Sequence, residues 1–308
     1  MINDNRQLLV RALAWCESVL GPITLLSDHS KAHGGHESLT RRIQTGEGIA
    51  YLKVHDNELY WQREVHAYEQ WVPVFGEYAP RLLAVGDKDP LALVISELPG
   101  RILETVSLSP ATEQAIWRRA GAALSALHAL GPGERFGTPR RDGGMNADCL
   151  SAAEQYVRQR FGALITGAKR AGYLSPAELA TVEAAWERVP FFTGERPFPC
   201  HRDYCAANWL VDTHNQWCGV IDFEFAHWDV RVADFSRDPH WNWIHRPDLP
   251  AAFGEGYGRV FTDAEEQQLL VARAEYAVGA IMWGNEHAFY GFAREGHEAL
   301  AHLASLLG

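Results

Sequence analysis

The chain has 308 residues, a formal net charge of −11, and 47% hydrophobic against 22% charged residues. That length supports one large domain or two lobes, each with its own core. The acidity weighs against a nucleic-acid or anionic-membrane binder, because phosphate surfaces need basic partners, and no apolar run approaches the roughly 20 residues of a membrane span.

The first residues, MINDNRQLLVRALAW, lack the basic-then-apolar order of a secretory signal and read as an amphipathic helix. An extended segment at 22–26, an alternating run at 39–43 and a further run at 49–54 then predict three strands joined by turns, with a polar loop at 27–38 that contains His33-Gly34-Gly35-His36. Residues 57–71 switch to helical spacing, and two more short strands are expected at 81–85 and 91–95. Pro99-Gly100 marks a boundary, beyond which helices are expected at 110–130, 149–171, 175–188, 262–281 and 285–307. The 175–188 helix should open on Ser175 as its cap and Pro176 in its first turn. Two apolar runs, 209–211 and 220–221, flank a polar turn at 212–216 and read as a strand pair. The expected architecture is α+β and bilobal: a small antiparallel-sheet N-lobe with one helix over 1–98, and a larger, mainly helical C-lobe over 99–308.

The chemistry gathers at a few positions. Lys53 ends an aliphatic run, and a buried lysine needs a carboxylate; Glu64 on the next helix is the favoured partner, with Glu58 and Glu69 as competitors. Gly34-Gly35 would let backbone amides approach a phosphate, although the loop is no Walker sequence; an ordinary surface loop, or metal binding by His33 and His36, are the alternatives. The segment 94–100 would expose backbone groups at Glu97 and Leu98 to an adenine edge, or simply connect a strand to a helix. His201-Arg202-Asp203, four residues, Asn208, and then Asp222 ending the second strand of the pair is the order of parts in a phosphoryl-transfer enzyme. Asp203 can take a proton from a hydroxyl, whereas Asn208 and Asp222 offer oxygen ligands to Mg²⁺. Any one of these acids is more often a cap or turn residue; the ordered set is hard to explain that way. His201 reads as a residue that fixes backbone. The five cysteines form no Cys-x-x-Cys pair and fit reduced cytoplasmic thiols.

Six segments together resemble the aminoglycoside phosphotransferase family, which shares its fold with protein kinases and includes choline and homoserine kinase-like enzymes. They are AYLKVH, QREVHAYEQW, ISELPGR, GAALSALHAL, HRDYCAAN and IDFEFAHWDVRVADFS. The resemblance implies a protein-kinase-like fold, a Lys53–Glu64 pair, Asp203 as base, Asn208 and Asp222 on magnesium, adenine contacts near Glu97 and Leu98, and Asp234 supporting the catalytic loop. The loop departs from the family, which usually has His-Gly-Asp and a later Gly-Asn; here Arg202 replaces the glycine. Aromatic residues crowd the region after Asp234, and Trp241, Trp243 and Glu286 are the expected acceptor-facing residues, against the alternative of a tryptophan-rich core. The expectation is a cytoplasmic Mg²⁺- and ATP-dependent (or GTP-dependent) O-phosphotransferase acting on a small cationic, hydroxyl-bearing antibiotic, with no nucleic-acid or membrane partner. A kinase of an amino alcohol, homoserine or sugar stays open, as does a non-catalytic kinase-like binding module.

Overall fold

Alternation in the first hundred residues produces one antiparallel sheet in a computed structural model of the chain, which describes residues 2–29, 38–147, 149–237 and 245–307. Its strands are β1 (Thr24–Asp28), β2 (Ser38–Thr45), β3 (Gly48–His55), β4 (Leu82–Asp87) and β5 (Leu91–Ser96), in the order β1-β2-β3-β5-β4. Two helices accompany this sheet, α1 (Ile2–Leu20) as well as the inserted α2 (Glu58–Gln70). Strand parity sends successive side chains to opposite faces. Ala50, Leu52 and Val54 of β3 pack with Ala12 and Cys16 of α1. Lys53 and His55 point the other way and meet Glu64 of α2. Asn57 caps α2 by accepting from Leu59 N, and Trp61 pins the helix to β5 through a hydrogen bond to Ala92 O.

Among the described residues the remaining strands are short: β6 (Arg101–Ile102), β7 (Phe198–Cys200), β8 (Trp209–Val211), β9 (Trp217–Val220) and β10 (His227–Asp229). One sheet runs β6-β8-β9 and another pairs β7 with β10. The chain divides into two compact units. The first comprises Met1–Val106, Thr138–Gly144 and Ala207–Ala226, so it includes the β8–β9 hairpin as well as the N-terminal sheet. The second comprises Ser107–Gly137, Met145–Ala206 and His227–Gly308.

The second unit is built from α3 (Pro110–His128), α4 (Ala153–Ala171), α5 (Pro176–Trp186), α6 (Asp248–Tyr257), α7 (Asp263–Glu286) and α8 (Tyr290–Leu307). Its core includes Phe161 of α4, Val182 of α5, Val278 and Ile281 of α7, and Leu300 and Leu303 of α8, all buried. The helix starts follow local rules. Ser109 caps α3, and reciprocal boxes close α5 (Ser175 with Glu178) and α7 (Thr262 with Glu265). No described helix is long and apolar enough to cross a membrane. The α+β, protein-kinase-like class is therefore the one observed, with an N-terminal antiparallel sheet and a C-terminal helical unit.

The sequence gives little hint of α6, because its segment DLPAAFGEGY carries one proline and two glycines, all weak helix formers. Packing decides against propensity here. A Cβ on Gly121 of α3 would lie 2.1 Å from Phe253 O of α6, and one on Gly256 of α6 would lie 1.8 Å from Arg118 O of α3. The two backbones touch, and only glycine permits that. Gly256→Ala should therefore lower the unfolding free energy by about 1–3 kcal/mol or more, the cost of overpacking. Urea denaturation measures this, and a change below about 0.5 kcal/mol, the size of an ordinary surface effect, would mean that the helices do not cross this closely.

Candidate active site

In the first unit the site grows from Lys53. Its ammonium lies 2.5 Å from Glu64 Oε1, 3.0 Å from Asp222 Oδ1 and 3.4 Å from Glu224 Oε2. Lys53 is 5% exposed and Glu64 not at all. The competing acids are engaged elsewhere: Glu69 binds Arg141 at 2.8 Å, and Glu58 accepts from Gln62. Glu64 Oε2 also meets His55 Nε2 at 2.8 Å. Burial opposes the charge on Lys53, yet Asp222, Glu64 and Glu224 outweigh it and hold the lysine well above its ordinary pKa. Burial likewise pushes against the Glu64 carboxylate, but Lys53 and the His55 hydrogen bond win, and its pKa is lowered. Three carboxylates thus surround the Lys53 ammonium. The Tyr68 hydroxyl is buried beside them without a hydrogen-bond partner.

The β8–β9 register sets the Asn208 backbone beside the residues that lead into Asp222. Trp209 pairs with Val220, and Ile221 N donates to Asn208 O at 3.0 Å. Asn208 and Asp222 therefore sit at the same end of the hairpin, although 14 residues separate them in the chain. The opposite end is a turn in which Asp212 Oδ1 accepts from the amides of His214 and Gln216. Asp222 has φ 70°, a left-handed conformation that Asp tolerates better than most residues. Phe223 anchors the bend against Tyr68 and Phe75. The carboxylates of Asp222 and Glu224, the buried Tyr68 hydroxyl without a hydrogen-bond partner, and the amide type of Asn208 at the same hairpin end are oxygen donors of the kind a hydrated hard divalent cation takes.

The linker after β5 is partly committed. Glu97 N donates to Ile49 O at 3.0 Å, and the Glu97 carboxylate binds Arg42 at 2.8 Å. Gly34, Gly35, Trp241 and Trp243 lie outside the described residues, as do His33 and His36.

In the second unit the loop carrying Asp203 hangs from a carboxylate. Asp234 accepts from His201 N at 3.0 Å and Arg202 N at 2.5 Å, and also meets His128 Nε2 at 3.1 Å. His201 Nδ1 accepts from Asp203 N at 3.2 Å, a contact that fixes backbone. Tyr204 donates to Ala120 O of α3. His128, Cys200 and Asp234 could hold an ion by proximity, but Asp234 already receives two amides and the imidazole, which makes this cluster the hydrogen-bonded floor of the loop. Arg202 has φ 69°, a conformation costing a non-glycine residue about 1–2 kcal/mol.

Asp203 Oδ1 accepts from Arg237 Nε at 2.6 Å. Arg237 also donates to the Tyr276 hydroxyl and lies over the Tyr276 and Phe292 rings at 5.3 and 5.2 Å. Beside it is a pocket of ≈ 200 Å³ whose polar lining comes from Arg160, Arg202, Ser236, Glu275 and Tyr276. Glu286 is exposed and ends α7, ten residues beyond Tyr276, or about 15 Å along the helix. The structure therefore does not bring Glu286 to the Tyr276–Arg237–Asp203 group. Trp283 stacks on His287 at 4.6 Å and meets Phe289 and Phe292 edge-on. Sequence reasoning missed Glu224, His55, Arg237, Glu275 and Tyr276. Only Glu224 had a local signal, as the acid following Asp222-Phe223.

The model of the phosphotransferase enzyme family matches residues 28–271. No curated protein matches the chain in sequence. Similar solved structures include a thermostable mutant of aminoglycoside phosphotransferase APH(4)-Ia in its apo form, at 13% identity over 95% of this chain and 98% of that one, with TM-score 0.70. The GDP and kanamycin complex of APH(2")-IIia gives 13%, 95%, 98% and 0.67. The gentamicin complex of APH(2")-IIa gives 16%, 94%, 94% and 0.62. At such identities the likeness is one of fold.

Two consequences of the buried cluster can be measured. Lys53→Met should lower stability at pH 7 by about 3–5 kcal/mol, because it strips buried carboxylates of their counter-ion. Because Glu64 has a lowered pKa in the folded protein, its contribution is present above its unfolded range and disappears as pH falls through the folded value. The gap between variant and wild type should accordingly narrow in acid. Urea curves at pH 7 and pH 4 test this, and a gap that widens in acid would contradict the assigned charges.

Proposed function

Since this chain belongs to the phosphotransferase enzyme family, we propose that it transfers the terminal phosphoryl group of ATP, or GTP, to a hydroxyl of a small cationic acceptor, an antibiotic in the first instance. The observation that carries this reading is the buried Lys53 ammonium held by Glu64 and Asp222, with Asn208 at the same end of the hairpin. Lys53 would bind nucleotide phosphates, and Asn208 and Asp222 would hold Mg²⁺ through oxygen. The Glu97 carbonyl and the Leu98 backbone would meet the adenine edge, and the Gly34-Gly35 backbone would close on the phosphates. When bound, the magnesium nucleotide supplies the phosphoryl group and offsets its charge. Asp203 would accept the acceptor hydroxyl's proton and aim its oxygen in line, so that rate comes mainly from positioning. Trp241 and Trp243 remain candidates to face the acceptor. The free thiols suit a reducing, cytoplasmic setting.

A cationic acceptor is supported by the solved relatives whose complexes contain gentamicin or kanamycin. A second reading, a smaller neutral or zwitterionic metabolite alcohol, is favoured by one observation. The acids near the pocket in the second unit, Asp229 and Glu275, are already paired with Arg160.

Coupled ADP release against gentamicin, kanamycin, streptomycin and hygromycin B, beside amino alcohols, homoserine and sugars, separates the two readings. With whichever acceptor responds, Asp203→Ala should reduce turnover by about 10²–10⁴-fold while ADP still binds. Turnover near the wild-type rate in that variant would remove Asp203 from the mechanism. Asp222→Ala should instead abolish the Mg²⁺ dependence of nucleotide binding, seen by titration with and without the metal.

A further inference from the structure

We propose that Arg202 is a positioning residue for Asp203: its ion pair with buried Asp229 holds the loop in a left-handed turn that glycine would adopt unaided. The proposal builds on the reading of Asp203 as the base.

The starting observation is φ 69° at Arg202, in the region that favours glycine. A bulky residue persists there only if its surroundings over-determine it. Two carboxylates do so. Asp234 takes the amides of His201 and Arg202, at 3.0 and 2.5 Å, and so grips the backbone. Asp229 takes the side chain, with Arg202 Nη1 2.5 Å from its Oδ2. Asp229 is fully buried and belongs to β10, which pairs with β7, the strand that leads into the loop. The clamp and the start of the loop therefore share one small sheet.

Charge balance explains why an arginine can be held in this place. Asp229 Oδ2 also binds Arg160 of α4 at 2.5 Å, and Arg160 continues to Glu275 of α7. Two guanidiniums and two carboxylates sum to zero. Burial opposes ionisation of Asp229, but Arg160 and Arg202 together keep its pKa below the ordinary carboxylate value. Without Arg202 the group would carry one uncompensated negative charge, and the turn would keep its strain with no ion pair to offset it. Alanine at 202 thus combines both losses, whereas glycine removes the strain and loses only the ion pair.

The experiment is amide hydrogen exchange, read on peptides covering 199–206, in wild type, Arg202→Ala and Arg202→Gly, together with ADP affinity and the slow hydrolysis of Mg-ATP with water as acceptor. In Arg202→Ala, exchange at 201–203 should rise about tenfold, the scale of the backbone strain, hydrolysis should fall by a similar factor, and ADP affinity should hold. Arg202→Gly should lie between Arg202→Ala and wild type in both readouts. Wild-type exchange in Arg202→Ala, or a glycine variant no better than alanine, overturns the proposal; a merely structural arginine gives no such order. Should Arg202→Ala not fold, the same comparison is made between Met and Gly at 202 in an Asp229→Asn background, which removes one charge of each sign. The exchange order decides the matter. If it is as expected while Asp203→Ala retains turnover, the clamp stands and the role of Asp203 falls.

Discussion

A single buried ammonium sets the terms for the first unit. Lys53 lies on the face of β3 opposite the apolar core made with α1, and a charge placed there requires nearby carboxylates. Glu64 answers from α2, and Asp222 and Glu224 answer from the residues following the β8–β9 hairpin. One cation thus ties a strand, a helix and a segment more than 150 residues away in sequence. Under the proposed reading, stability and ligand binding would share the same groups, so a residue here cannot be judged by packing alone.

The second unit solves a related problem with backbone. If the loop is to present the Asp203 carboxylate to a hydroxyl, as proposed, it must be rigid, yet loops have few ladder bonds of their own. Here Asp234 accepts two consecutive amides, His201 turns back onto the Asp203 amide, and Tyr204 reaches Ala120 of α3. α6 buttresses this arrangement from below, through Phe253 against Tyr204 and Tyr257 against His128. The amides of His201, Arg202 and Asp203 and the Tyr204 hydroxyl each have a partner, so the low dielectric strengthens rather than penalises these bonds.

Much of this was legible in the chain. The alternation of β2 and the two apolar runs of the hairpin are plain in the residues, and Ser175 with Pro176 marks the start of α5. Glu64 could be favoured over Glu58 and Glu69 because it sits one turn before Tyr68, toward the middle of α2. Other features had no local signature. The Arg160 contacts to Asp229 and Glu275 span 69 and 115 residues, and ion pairs of that range leave no periodic trace. α6 was hidden by residues that disfavour helix on their own and succeed only against α3. The aromatic richness after Asp234 includes Trp241 and Trp243, which lie outside the described residues; within them Trp283 packs against His287, Phe289 and Phe292, and Glu286 stands exposed at a helix end.

The hairpin register also says where this chain can grow. Side chains on a strand alternate, so adding one residue to β8 or β9 would swing Asn208 or Asp222 to the opposite face. Length changes at that end are forbidden by geometry. At the far end, Asp212 closes the turn with its own side chain, and Arg101 braces it through Asp212 O and Asn215 Oδ1. A longer loop there would cost only closure entropy, which rises slowly with length, and those few local bonds. The turn at 212–216 is thus the natural port for an inserted tag or sensor domain, physically linked to the cluster yet outside its register.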